Sequence, residues 1–176
     1  LTLRFKNIAA TDAGTFKCYT QASLVAIADC GQLLIIIRKP NPPTVKILPS
    51  SNVVVGSRLE LLCETHTTSL PPNHGLASEI WWYDQSGQTV RTSQRIGVSA
   101  QGQLVIQPLE RADKSLKFYC ISADNAGDIS KRLTSDQSAL YEVNPEYKPA
   151  PQDFKLTPSF QNDETIDKVI GERLSY

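Results

Sequence analysis

Four cysteines (Cys18, Cys30, Cys63, Cys120) and two histidines (His66, His74) are the side chains of this 176-residue chain best suited to covalent or metal chemistry. Their spacing argues against most of it. No Cys-x-x-Cys pair occurs, so a zinc knuckle or a dithiol redox motif is not expected. His66 and His74 fall near Glu64 and Glu79, but without ligand spacing, and two solvated histidines in a polar insert are the expected reading. The serines and threonines beside them form no histidine–acid–nucleophile set, so no enzyme activity, metal or cofactor is expected. Thiol chemistry remains. Cys63 and Cys120 each lie in an alternating apolar run, as two facing core strands would hold them. A paired state would imply an oxidising compartment, hence a secreted or cell-surface protein.

The elements that carry these cysteines are written twice. Leu3-x-Phe5-x-x-Ile8-x-x-x-Asp12 leads to Cys18, and Leu104-x-Ile106-x-x-Leu109-x-x-x-Asp113 leads to Cys120 in the same register. A second repeat, from Val55 to Cys63, recurs from Ile170 to Tyr176. Self-similarity at about a hundred residues indicates tandem domains rather than one larger fold. The predicted organisation is a partial domain over 1–38, a Pro-rich linker over 39–43 and a complete domain over 44–143. A second linker over 144–151 and the start of a third domain over 152–176 follow. On this reading the chain is a segment of a longer protein, and only 44–143 holds a complete core. Three prolines between Pro40 and Pro43 predict a short, stiff joint.

Strand signals are dense from Thr44 to Val143 and helix signals nearly absent. Seven to eight short strands with frequent turns predict an all-β sandwich or barrel. The polar insert between Cys63 and Trp82, with Pro71, Pro72, His74 and Gly75, is expected as an exposed loop at one end. Eighteen basic residues balance eighteen acidic ones, so no strong field favours nucleic acid or an anionic membrane.

Taken together, Cys63, Trp82, Leu104-x-Ile106, Asp113 and Cys120 resemble the immunoglobulin superfamily. Asp12-x-Gly14-x-Phe16-x-Cys18 is similar to the family's strand-F signature, and Cys120-x-Ser122-x-Asp124-x-x-Gly127 looks like the following stretch of intermediate-set modules. The resemblance implies tandem immunoglobulin-like β-sandwiches, one complete and two partial. It implies a Cys63–Cys120 bridge packed on Trp82, with two buried reduced thiols as the alternative. Cys18 is expected to pair upstream, leaving Cys30 free or bridged to sequence outside this chain; a Cys18–Cys30 bridge is the minority reading. Arg95 and Asp113 resemble an ion pair that closes one end of such domains, the alternative being two solvated charges.

Two departures stand out. Phe16 and Phe118 replace the tyrosine usual two before the second cysteine, and Asp113-to-Cys120 is one residue longer than Asp12-to-Cys18, which predicts a bulge or longer turn there.

The run Leu33-Leu34-Ile35-Ile36-Ile37 is apolar on both faces, so one set must face outward. Leu34 and Ile36 are read as that set, covered by a neighbouring domain or serving as a partner face. The resemblance implies an extracellular, plasma-membrane adhesion or recognition receptor contacting other cell-surface proteins, homophilically or heterophilically, with any membrane attachment outside this segment. Alternatives are the ectodomain of a receptor kinase or phosphatase, and intracellular muscle-type modules. No Asn-x-Ser/Thr sequon occurs, which leans slightly toward the last.

Overall fold

Leu59, Leu61 and Cys63 recur at every second residue, and the period of two puts all three on one buried face. The computed structural model describes residues 3–22, 27, 30–99 and 101–149. Among these there is no α-helix. A two-stranded hairpin comes first, β1 (Gly14–Phe16) against β2 (Gln32–Leu34). Seven more strands follow: β3 (Asn41–Ile47), β4 (Leu59–His66), β5 (Ser78–Asp84), β6 (Ile96–Val98), β7 (Leu104–Ile106), β8 (Lys117–Asp124) and β9 (Tyr141–Glu142). They form one sheet ordered β3-β4-β7-β6 and another ordered β5-β8-β9, all neighbours antiparallel. This is the two-sheet order of a constant-type immunoglobulin sandwich.

The core lies between the sheets and contains Leu59, Leu61, Cys63, Trp82, Leu104, Ile106, Leu109, Phe118, Cys120 and Val143. Burying each large aliphatic side chain contributes roughly 2 kcal/mol. The repeated motif shows what that burial depends on. Leu104, Ile106 and Leu109 are 0%, 0% and 1% exposed, whereas their counterparts Leu3, Phe5 and Ile8 are 65%, 37% and 59% exposed. The same letters fold the same local turn in both places, but among the described residues a second sheet covers them in only one.

Strand pairing moves the predicted boundaries. Asn41–Pro43, expected as linker, open β3, with Asn41 opposite His66 and a register shift between Asn41 and Thr44. Prolines are tolerated there because β3 is an edge strand. At the other end Glu146, also expected as linker, bridges Val54 in parallel, its N–H bonding Val53 O at 2.8 Å. The predicted third domain, 152–176, lies outside the described residues.

The extra residue between Asp113 and Cys120 is taken up before the strand. Ser115 has φ 73°, two residues after Asp113, and Gly14, two after Asp12, has φ 148°. The last strand is only two residues long. Beside β8 the hydroxyls of Ser138 and Ser135 accept the N–H groups of Cys120 and Ser122, each at 3.0 Å, in place of main-chain carbonyls.

Candidate functional site

The cysteines are all paired. Cys63 on β4 and Cys120 on β8 join the two sheets with Cα atoms 6.3 Å apart. Trp82 sits opposite Cys120 in the β5–β8 register, 2% exposed, and its indole N–H donates to Gly102 O at 2.8 Å. The other pair is Cys18–Cys30, with Cα atoms 5.6 Å apart. This overturns the expectation of an upstream partner for Cys18 and a free Cys30. The reason is the hairpin register: Gly14 faces Leu34 and Phe16 faces Gln32, and two residues further along each strand the same pairing sets Cys18 against Cys30.

Arg95 and Asp113 meet through two parallel bonds of 3.0 Å, Nη1 to Oδ2 and Nη2 to Oδ1. Arg95 also donates to Pro108 O at 2.8 Å and lies 3.2 Å from Glu110 Oε1. Burial by itself would push the Asp113 carboxyl up. The Arg95 hydrogen bonds, the Glu110 N–H at 2.7 Å and the Arg95 charge outweigh it and hold the group below the usual carboxylate range. This pair closes the end of the sandwich, with most of the Arg95 donors engaged within it.

The histidines make no metal centre. Among the described residues no group of three or more His, Cys, Asp or Glu side chains could hold an ion. His66 ends β4 beside Thr44 Oγ1 at 3.4 Å. His74, expected to be solvated, is 7% exposed. A shallow depression on the β6–β7 side involves Arg58, Ile96 and Gln107, but Arg58 is engaged by Glu60 and Gln107 and Arg95 by Asp113.

A cluster of aromatic side chains lies instead on the outward face of the β5–β8–β9 sheet. Phe118, Cys120 and Ser122 point inward, so Lys117, Tyr119 and Ile121 point outward. The register sets Tyr83 against Tyr119 and Trp81 against Ile121. The two tyrosine rings stack, centroids 5.3 Å apart and 12° from parallel. Arg132 lies over the Trp81 ring at 5.0 Å and pairs with Glu79 at 2.7 Å; at the far end Lys117 pairs with Glu142 at 3.0 Å. The result is an aromatic centre between two ion pairs, held on a rigid sheet. The sequence reading singles out none of these residues as a contact residue. Their signal was there: they are the immediate neighbours of Trp82 and Cys120, which the strand period turns to the opposite face.

Leu34 and Ile36, expected to face outward and to be covered by a neighbouring domain or to serve a partner, are each half-buried; Leu33 is the exposed member of the run, at 46%. Ile36 is held by main-chain bonds to Leu70 in the insert, so this run continues into a packed joint.

No protein-family model matches the chain. It is similar to Protein sidekick of Drosophila melanogaster, 28% identical over 184 residues, covering 97% of this chain and 8% of that protein. The chain therefore spans only a small part of this curated relative's length. Among solved structures it is similar to a chain in the crystal structure of a mouse coronavirus receptor-binding domain complexed with its murine receptor, at TM-score 0.45 and 14% identity, over 79% of this chain and 61% of that one. It is likewise similar to murine CEACAM1b, at TM-score 0.39 and 14% identity, over 80% of this chain and 61% of that one.

Proposed function

We propose that this chain, with its immunoglobulin-like sandwich, is a contact-making part of an extracellular adhesion or recognition receptor. It acts by surface complementarity and not by catalysis. The observation that carries this reading is the outward face of β5–β8–β9, where Trp81, Tyr83, Tyr119 and Ile121 form an aromatic centre flanked by the Glu79–Arg132 and Lys117–Glu142 pairs. Aromatic centres with polar rims are where protein interfaces concentrate their affinity. Its partners are other cell-surface proteins, identical copies or different molecules. The two disulfides favour an oxidising compartment and speak against the intracellular muscle-type alternative. No helix among the described residues is long and apolar enough to cross a membrane.

The test is direct. The chain, multimerised and fluorescently labelled, is added to a panel of intact cells before and after surface trypsin treatment, and coated on beads to assay self-aggregation. Saturable, trypsin-sensitive binding or bead clustering supports the reading. Neither, across the panel and the beads, overturns it.

A further inference from the structure

The insert between β4 and β5, expected as a free loop, withdraws two of its polar groups from water together with a third on β8. Ser69 is 2% exposed, His74 7% and Asp124, at the end of β8, 2%. Asp124 Oδ2 accepts from Thr67 Oγ1 at 2.5 Å and from Ser69 Oγ at 2.6 Å. His74 Nδ1 accepts the Leu76 N–H at 3.0 Å, which leaves the neutral ring its proton on Nε2, 3.3 Å from Thr67 Oγ1. Thr67 Oγ1 also accepts the Ser69 N–H at 3.2 Å. Each hydroxyl therefore has its proton committed to Asp124 and its lone pairs free to receive others.

Ser69 uses that freedom across the joint. Its Oγ accepts the Arg38 N–H at 3.1 Å. Two residues earlier, Ile36 N–H bonds Leu70 O at 2.9 Å and Leu70 N–H bonds Ile36 O at 3.0 Å. One residue later, Thr68 Oγ1 donates to Lys39 O at 2.9 Å. An exposed Lys39–Asp136 ion pair at 2.6 Å flanks the set and, being solvated, adds little. The segment leaving β2 is thus bonded to the insert at Ile36, Arg38 and Lys39 before the chain enters β3.

We propose that this insert is an inter-unit clamp with Asp124 as its buried anchor. The carboxylate fixes the Ser69 hydroxyl in the orientation that receives Arg38, and the Ile36–Leu70 main-chain bridge then sets the angle of the β1–β2 unit on the sandwich. Prolines alone restrict the path of the joint but not its rotation; hydrogen bonds at three backbone positions between Ile36 and Lys39 restrict both. A buried carboxylate is suited to the task because charge-assisted bonds are short and directional, and because losing a donor leaves it costly to keep dry. The clamp lies apart from the outward face of β5–β8–β9 and governs the direction in which that face is presented.

Pulsed electron-electron distance measurements on the full chain test this, with non-cysteine spin labels on exposed Thr15 and Gln85. The wild type is expected to give a single narrow distribution. Ser69→Ala combined with Thr68→Val, and Asp124→Asn separately, are each expected to widen it at least about twofold while the sandwich keeps its cooperative melting. A wild-type distribution as broad as the variants', or an Asp124→Asn distribution as narrow as wild type, overturns the proposal. Should a variant fail to fold, amide exchange in the unmodified chain decides. Ile36 and Leu70 must exchange on the order of 100-fold slower than free chain, and exchange at the free-chain rate refutes the clamp.

Discussion

Asp12 and Asp113 perform the same local task in two different units. Each carboxylate accepts the N–H three residues before it, Ala9 at 2.8 Å and Glu110 at 2.7 Å, and each closes a single turn of 3-10 helix, Ala10–Asp12 and Arg111–Asp113. Only Asp113 has an arginine opposite it and only Asp113 is buried. Asp113→Ala should therefore destabilise the sandwich by about 2–3 kcal/mol, the range for hydrogen bonds to a charged group, since Arg95 stays partly solvated and its Coulomb share is screened. Asp12→Ala should cost the β1–β2 unit about 1 kcal/mol or less, like the loss of a cap. Denaturant titration of each variant measures both.

The same pair sets a pH dependence. The folded Asp113 carboxyl lies below its ordinary value, so its contribution is fully present above the unfolded pKa of about 3.9 and is lost as pH falls through the folded value. Stability of the sandwich should hold from neutrality to about pH 5 and fall below about pH 4. Asp113→Asn should be less stable at pH 7 and show a shallower acid decline. Glu60, Glu64 and Asp84 are also held low by hydrogen bonds, to Arg58, Lys46 and Ser86 first in each case, so some acid slope persists in that variant. Equal slopes for variant and wild type would remove Asp113 from the account.

Both disulfides should be present in material from an oxidising compartment. Thiol titration in denaturant without reductant should find no free cysteine. Removing Cys63–Cys120, which closes 57 residues, should cost about 4 kcal/mol by the chain-entropy argument. Removing Cys18–Cys30, which closes 12, should cost about 3 kcal/mol on the same basis and leave the sandwich's own melting untouched.

Ser115 occupies a left-handed backbone position at φ 73° that favours glycine. Its N–H donates to Val143 O at 2.9 Å, a bond that any residue keeps. Ser115→Gly should stabilise the sandwich by about 0.5–1 kcal/mol, read as a rise in melting temperature. By contrast, Gly102→Ala should destabilise it: φ is +76° there, an added Cβ would meet Ile80 Cδ1 at 3.2 Å, and the Gly102 carbonyl holds the Trp82 N–H.

Features governed by one strand's period or by a near repeat were legible in the sequence. Leu104, Ile106 and Asp113 mark a buried strand and a capped turn because side-chain alternation and a three-residue hydrogen bond are local rules. Features that depend on what faces what were not. Pairing of Cys18 with Cys30 follows from hairpin register, which the apolar run after Gly31 left open. Burial of Ser69, His74 and Asp124 arises from contacts across 55 residues between Ser69 and Asp124, and composition alone makes that insert look solvated. The outward aromatics were hidden by attention to their inward neighbours, although the rule that buries Trp82 is the one that exposes Trp81 and Tyr83.

The central claim, that the outward face of β5–β8–β9 makes the contact, is tested most directly by placing a charge on it. Tyr119→Lys should lower binding of the multimerised chain to its trypsin-sensitive cellular site, or its own bead clustering, on the order of 30-fold or more. Val105→Lys, on the opposite sheet, should leave it unchanged, with the melting of both variants recorded alongside. Full binding by a folded Tyr119→Lys chain, or equal loss in the two variants, would contradict the account.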